Sequence, residues 1–515
     1  MRADARRPIG RLTLATAAAA IAALSLPACS AATETTDPEE KDYSVLTLAA
    51  ATPPASWDPA LQTSAFDGTW QWTAVYDTLL TCNEDGTVGP GAAEDFELAD
   101  DNTTLSLTLR DGMTFEDGAP VDAAAVTASI EHMQNGGGSD AVRVAGLTVD
   151  APDERTVVIT SPEPRGLLAT YMCLSPGIIA SPEAIASADV DSVPVSSGPY
   201  AFDAAASTSG SVLTFTKRAD YWNADAYPYE SLVITVMPDA TARLNALKTG
   251  QVDGAMIAGE TVAEAEASRL EVLEWTDATN GIVVFDRDGA IVPALADARV
   301  RRAMNMVFDR EAIATGLFQG RAQPTAQMFG PDSDAYLAEL DDTYAYDIEG
   351  ARSLLAEAGY ADGFDIEIPS RSPQTDQANP LITQQLAQIG ITVTETPLAA
   401  ASAIPEILSG RFAMTYIAMP LSSPLWNVGQ SISPTATWNV LDTQTAELTA
   451  LTDAAQAAQG DELAELTQDI NRYVVDNAWF VPWSLRTAYF ATAGDVTVDG
   501  VPDPYFQVPQ LRSFS

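Results

Sequence analysis

Strand-sized apolar runs alternate with Asp-capped helical patterns along most of the chain, and that alternation restricts the fold to α/β layers. The best-marked helix opens at Pro120-Val121-Asp122. There the Asp122 carboxylate can accept from free backbone N–H groups, with Val121 and Val126 at the two hydrophobic-staple positions. Val126, Ile130 and Met133 continue the stripe until Asn135-Gly136-Gly137-Gly138 ends it. Val300, Ala303, Met304 and Val307 share a second helical face, and Asp309 caps the next helix, which Gly320 closes. Ala351, Leu354, Leu355 and Ala358 repeat the pattern between Asp347 and Gly359, and 380–389 reads as a further helix before a strand at Ile391. Strands are expected at 44–49, 103–110, 147–149, 156–160, 212–216 and 232–236, and a helix from Ser64 through Trp70 and Ala74 to Leu80. At 515 residues the chain exceeds the roughly 250–300 at which one core stops growing, so more than one core is required.

Charge and residue usage exclude several functions. A formal charge of −45 with no basic block disfavours nucleic acid as a partner. His132 is the lone histidine, which argues against a His-built metal site or a His-based triad, and three cysteines are too few for a zinc cluster. No Gly-x-Ser-x-Gly, His-Glu-x-x-His or P-loop spacing occurs, so neither a hydrolase motif nor an ATPase motif is present, although a carboxylate pair among 71 acids stays open. The acidity reads as a solvated surface, the alternative being a field that draws cationic solutes into a cleft.

The first 28 residues read as an export signal. Arg2, Arg6, Arg7 and Arg11 precede the apolar run Leu12–Leu26, which is shorter than the ~20 residues that span a bilayer. Leu26-Pro27-Ala28-Cys29-Ser30 resembles the lipobox of bacterial lipoproteins, which makes Cys29 the lipidated first residue of the mature chain; an ordinary signal peptide is the alternative. Cleavage there removes four Arg and one Asp and leaves 22 basic against 70 acidic residues. Residues 29–42 read as a flexible tether. Export to an oxidising compartment predicts a disulfide between Cys82 and Cys173, the alternative being two separate buried thiols.

Five segments in register resemble the peptide/nickel group, family 5, of bacterial extracellular solute-binding proteins. They are the strand–turn–helix from Leu109 through Asp111-Gly112 and Asp117-Gly118 to Val121; Ser196-Ser197-Gly198-Pro199-Tyr200; Asp220-Tyr221-Trp222; 297–313 from Asp297-Ala298-Arg299; and 350–360 from Gly350-Ala351-Arg352. Most of this is structural: the Asp-Gly pairs are turns, and Arg299, Arg301 and Arg302 are expected in surface pairs. The resemblance implies a two-lobed α/β fold of the type II periplasmic-binding-protein kind with an extra inserted subdomain (cluster C). Lobe I would cover 43–283 with the subdomain at about 77–194, lobe II 284–484, and 485–515 would return to lobe I.

The same resemblance points the ligand to an interlobe cleft and names Trp57, Phe66, Met419, Trp426, Trp438 and Asn439 as its contacts, with Trp70 and Trp479 in the core. One departure bears on the ligand. Peptide binders of the family commonly hold the ligand's ammonium with an acid, yet 412–426 contains none, and Ala413 replaces the family's strand Asp. An unpaired buried ammonium costs several kcal/mol, which favours a neutral or differently oriented solute such as an oligosaccharide or blocked peptide. One histidine disfavours free nickel and leaves a chelate open. The chain is therefore expected to be a monomeric, non-enzymatic lipoprotein of an ABC importer, without a cofactor. It would sit at the outer face of the cytoplasmic membrane, attached only by lipid, and deliver a peptide, oligosaccharide or chelate to permease and ATPase subunits. Ligand sensing with the same fold, or a secreted hydrolase, are the alternatives.

Overall fold

The computed structural model describes residues 43–53, 56–64, 66–371, 378–399 and 402–515, with only the backbone of Phe66. The signal segment, Cys29 and the tether lie outside the described residues.

The first strand, Val45–Ala50, is apolar on both faces because it lies inside a sheet. It runs parallel to Ser231–Val236 on one side and Gly254–Ile257 on the other. The sheet continues outward through Val212–Lys217 to Tyr200–Phe202. In the other direction it passes through two long antiparallel strands, Phe480–Thr492 and Glu271–Val284, to Met414–Pro420. These two strands leave one hydrophobic core and enter another. Near Glu271 and Thr492 they flank Leu244, Leu247 and Val262. At their other ends Ile282, Val284, Val481 and Trp483 belong to a core closed by helices Ala298–Met306, Ile348–Glu357 and Asn379–Ala387. That core also contains the parallel pair Phe364–Ser370 and Ile391–Pro397. The requirement for more than one core is met across a shared pair of strands.

A separate four-stranded sheet, ordered Ala93–Leu98, Thr104–Leu109, Thr156–Thr160, Thr148–Asp150, packs against helix Ala123–Asn135. Leu105, Leu107 and Leu109 face its core, as their alternation requires. The helix begins as its sequence dictates: Asp122 Oδ1 accepts from the Ala125 N–H at 2.9 Å, and Val121 and Val126 are buried. Asp309 and Asp347 cap their helices in the same way. Cys82 and Cys173 are joined by a disulfide.

Two expectations need correction. The helix that follows Phe66–Gly68 spans only Thr69–Val75, and the chain from Tyr76 is extended rather than helical to Leu80. The Val75 carbonyl accepts from the N–H groups of Ser197 and Gly198, and Asp77–Thr78 pairs with Ile178–Ile179, so tertiary partners take the bonds a further helical turn would need. At that crossing a Cβ on Gly198 would come within 2.9 Å of the Tyr76 nitrogen, which explains the glycine of the Ser-Ser-Gly-Pro-Tyr motif. Arg301 is not in a surface pair. It is buried and donates to the carbonyls of Leu295, Asn477 and Ala478, tying helix Ala298–Met306 to the end of Gly460–Asp476. Arg299 does pair with Asp297, whereas Arg302 donates to the Asp476 carbonyl.

Candidate functional site

Edge strand Met414–Pro420 pairs with Glu271–Val284 and presents Tyr416 to Pro420 along one wall of a cavity of about 360 Å³. Behind the wall, the Tyr416 ring stacks on buried Trp483, and its hydroxyl donates to Asn280 Oδ1 at 3.1 Å. The chain then turns into a short helix, Pro424–Asn427, that widens into one π turn, Val428–Ile432. Such turns recur at functional sites because the wider backbone brings side chains together that a regular helix separates. Here the turn brings Trp426, Gln430 and Ser431 to the cavity. Asn427 clamps the approach, donating to the Pro420 carbonyl at 2.9 Å and accepting from the Ser422 N–H at 3.1 Å. Trp438 closes another side, its ring stacked 6.4 Å from Phe285 and its backbone N–H donating to the Gln430 carbonyl. Arg371 and Arg486 complete the lining, which among the described residues holds neither Asp nor Glu.

Trp426 also faces outward from that wall. The Arg143 guanidinium carbon lies 4.0 Å from its ring centroid, and the rings of Tyr171 and Tyr505 stand edge-on at 6.1 and 5.4 Å. One tryptophan therefore joins the cavity to the segment carrying the four-stranded sheet and to the C-terminal segment. Nearby, Asn102 donates to the carbonyls of Gln456 and Ala458, and Gln459 donates to Asn102 Oδ1 at 2.6 Å.

Met419, Trp426 and Trp438 are brought together here. Asn439 does not line the cavity: fully buried, it accepts from Arg287 Nη1 at 2.8 Å and donates to the Ser433 and Thr443 carbonyls, fastening the loop that carries Trp438. Arg287 lies 3.9 Å over the Trp479 ring; burial pulls its pKa down to about 9, with the Arg301 charge adding to the effect. Trp57 does not join the group. Its ring packs on Phe202 and Phe215, beside a separate depression with Asp191 and Ser207, and its carbonyl accepts from the Tyr76 hydroxyl at 2.8 Å. Phe66 begins the turn Phe66–Gly68, and its side chain lies outside the described residues. Trp70 and Trp479 are buried.

Tyr416, Gln430, Arg371 and Arg486 were not anticipated. Arg486 carries a signal: it is the one charge in the otherwise apolar and small-residue run 478–493. The motif residues elsewhere are structural. Trp222 Nε1 donates to Asp77 Oδ2 at 2.6 Å, and Arg110 lies 3.9 Å over the Trp222 ring. His132 pairs with Asp58 at 2.7 Å. Among the described residues no group of three His, Cys, Asp or Glu side chains is placed to hold a metal ion, and no helix is long and apolar enough to cross a membrane.

Parallel and long antiparallel strands shared by two cores, with an aromatic cavity beside them, define a type II periplasmic-binding-protein fold. Two solved structures share it: AgaA in complex with agropinic acid from A.tumefacien R10, with TM-score 0.79, 23% identity and coverage of 92% of this chain and 98% of that one; and NikA from Brucella suis in complex with Fe(III)-EDTA, with TM-score 0.77, 21% identity and coverage of 92% and 99%. The chain belongs to the bacterial extracellular solute-binding proteins, family 5, whose middle-region model matches residues 87–425. Members of that family are transport binding proteins and not enzymes. The glutathione-binding protein GsiB of Salmonella paratyphi A is 29% identical over 345 residues, 65% of this chain; the match spans 66% of the relative's length, just under two thirds.

Proposed function

We propose that this chain is the solute-capturing component of an ABC importer, anchored by lipid at Cys29 outside the cytoplasmic membrane. It closes on a small organic solute and hands it unchanged to a permease driven by a partner ATPase. The observation that carries the reading is the cavity walled by Met414–Pro420, the Trp426–Ser431 turn, Trp438 and Arg486, with Trp426 packed outward against Arg143 and Tyr171. In this reading 43–283 with 485–515 forms one lobe, 284–484 the other, and 77–194 the inserted subdomain. The strands Glu271–Val284 and Phe480–Thr492 are the hinge, since they pass between two cores. Met419, Trp426 and Trp438 touch the solute together with Tyr416, Arg371 and Arg486; Asn439 positions Trp438, and Trp57 is assigned to the packing of its own lobe. A small organic solute also accords with the similar proteins, one named for glutathione and others solved with agropinic acid and Fe(III)-EDTA.

Deleting the gene should abolish uptake of the solute that the purified protein binds, and the intact gene should restore it. Cys29→Ser should release the protein from the membrane fraction. Unchanged uptake in the deletion strain would leave capture without import and favour sensing.

A further inference from the structure

Resting on that reading of the cavity, we propose that the solute is an organic acid without a free ammonium group, its carboxylate received by the uncommitted edge of Arg486. The long strand pair is irregular beside the cavity. Thr276 faces Thr487 and Ala278 faces Arg486, so Asp277 is an extra residue, a β-bulge. Bulges re-aim side chains and recur beside functional sites. This one is fixed from outside: the Asp277 carbonyl accepts from the Leu421 N–H at 2.8 Å and from Gln507 Nε2 at 3.0 Å. Its buried carboxylate takes two nitrogens of Arg486, Nε at 2.9 Å and Nη2 at 2.5 Å.

The grip leaves one nitrogen over. Among the described residues no bond engages Arg486 Nη1, and the guanidinium borders the cavity. Burial acts to lower the pKa of Arg486, but the Asp277 bond and charge outweigh it and raise the pKa, so the group stays charged. A charged fork held in one orientation by a buried acid is preorganised for a carboxylate. A second observation points the same way. Ser431 borders the same cavity, is buried, and its hydroxyl has no hydrogen-bond partner among the described residues. Native structures rarely leave such a group unpaired, and a solute oxygen would satisfy it.

The rest of the lining decides what accompanies the carboxylate. Arg371 borders the cavity, and of the described acids beside it Asp277 is committed to Arg486 and Asp140 to Arg143, whose guanidinium lies over Trp426. Among the described residues an ammonium group would find two arginines and no uncommitted carboxylate in the lining, although the chain as a whole carries −45. Trp426, Trp438 and Met419 supply flat apolar surface for the body of the solute. The general acidity of the protein therefore does not describe its cavity.

The test is a thermal-shift screen of the full-length mature chain against metabolites balanced among amine-free carboxylates, amino acids and short peptides, amines and neutral sugars. It includes matched sets such as hippurate, its methyl ester and phenylalanine. Hits should fall among the amine-free carboxylates, and by calorimetry each should bind about tenfold or more tightly than its ester, the value of one charge-assisted hydrogen bond. Arg486→Gln should bring the acid down to the ester while leaving the ester unchanged. Asp277→Asn should lower the acid-to-ester ratio, which a purely structural role would not move. Hits carrying free amines, equal binding of acid and ester by the unaltered protein, or a preference that survives Arg486→Gln would overturn the proposal. If no class of compound shifts the melting curve, the cavity is not a solute site, and the function proposed above fails instead.

Discussion

A double-mutant cycle on Arg143 and Trp426 measures the contact that ties the cavity wall to the segment carrying the four-stranded sheet. Trp426 is only 8% exposed, and the Arg143 side chain 19%, so their face-on contact at 4.0 Å is largely shielded from water. Shielded cation–π contacts contribute about 1–2 kcal/mol, against about 0.5–1 at exposed sites. Trp426→Ala alone should cost about 3–5 kcal/mol, most of it lost packing with Tyr171 and Tyr505. That figure says little about the arginine, and Arg143→Ala also removes the 3.6 Å pair with Asp140. The cycle cancels both, because the Asp140 pair survives Trp426→Ala and the tyrosine packing survives Arg143→Ala. Urea unfolding of the unaltered protein, the two single variants and the double variant, followed by far-UV circular dichroism, should give a coupling of about 1–2 kcal/mol. A value under about 0.5 kcal/mol is what independent sites give, and would refute the idea that this pair fastens the cavity wall to the neighbouring segment.

Other outcomes follow from the same structure. Replacing Cys82 and Cys173 by Ser opens a covalent loop whose ends are 91 residues apart, and chain entropy sets the loss at about 4–5 kcal/mol; a loss under about 1 kcal/mol would contradict it. Asp77 is pushed up from 3.8 to about 6 by burial, outweighing its bond from Trp222. Its raised pKa favours folding fully below pH 3.8, and that contribution disappears as pH rises through about 6. Relative to Asp77→Asn, the unaltered protein should gain about 2.4 kcal/mol on going from neutral pH to about pH 4, and parallel stability profiles for the two would exclude the effect.

The elements that the sequence disclosed are those whose signals are local. Asp122, Asp309 and Asp347 cap helices because a short carboxylate beside free N–H groups needs no distant partner. Leu105, Leu107 and Leu109 alternate because one face of their strand is buried. The helix expected through Leu80 failed for a non-local reason: Ser197 and Gly198, more than 110 residues onward, take the Val75 carbonyl. Arg301 reads as a surface residue on its helical wheel, but its length lets it reach carbonyls near residue 477. At the cavity, Met419, Trp426 and Trp438 were named through the family resemblance, and the structure brings the three together along one cavity. Arg486 draws its meaning from Asp277, more than 200 residues away and placed by a bulge that no spacing in the sequence announces. Trp57 fell elsewhere because Phe202 and Phe215 offer it a closed aromatic niche.

Capture without chemistry can be read by native mass spectrometry of the protein purified gently from its own cells. The unaltered chain should carry a single small acidic solute that leaves on unfolding with its mass intact after prolonged incubation, and Trp438→Ala combined with Arg486→Gln should arrive empty. The same adduct on that double variant, or a released molecule whose mass has changed during incubation, would contradict capture in this cavity.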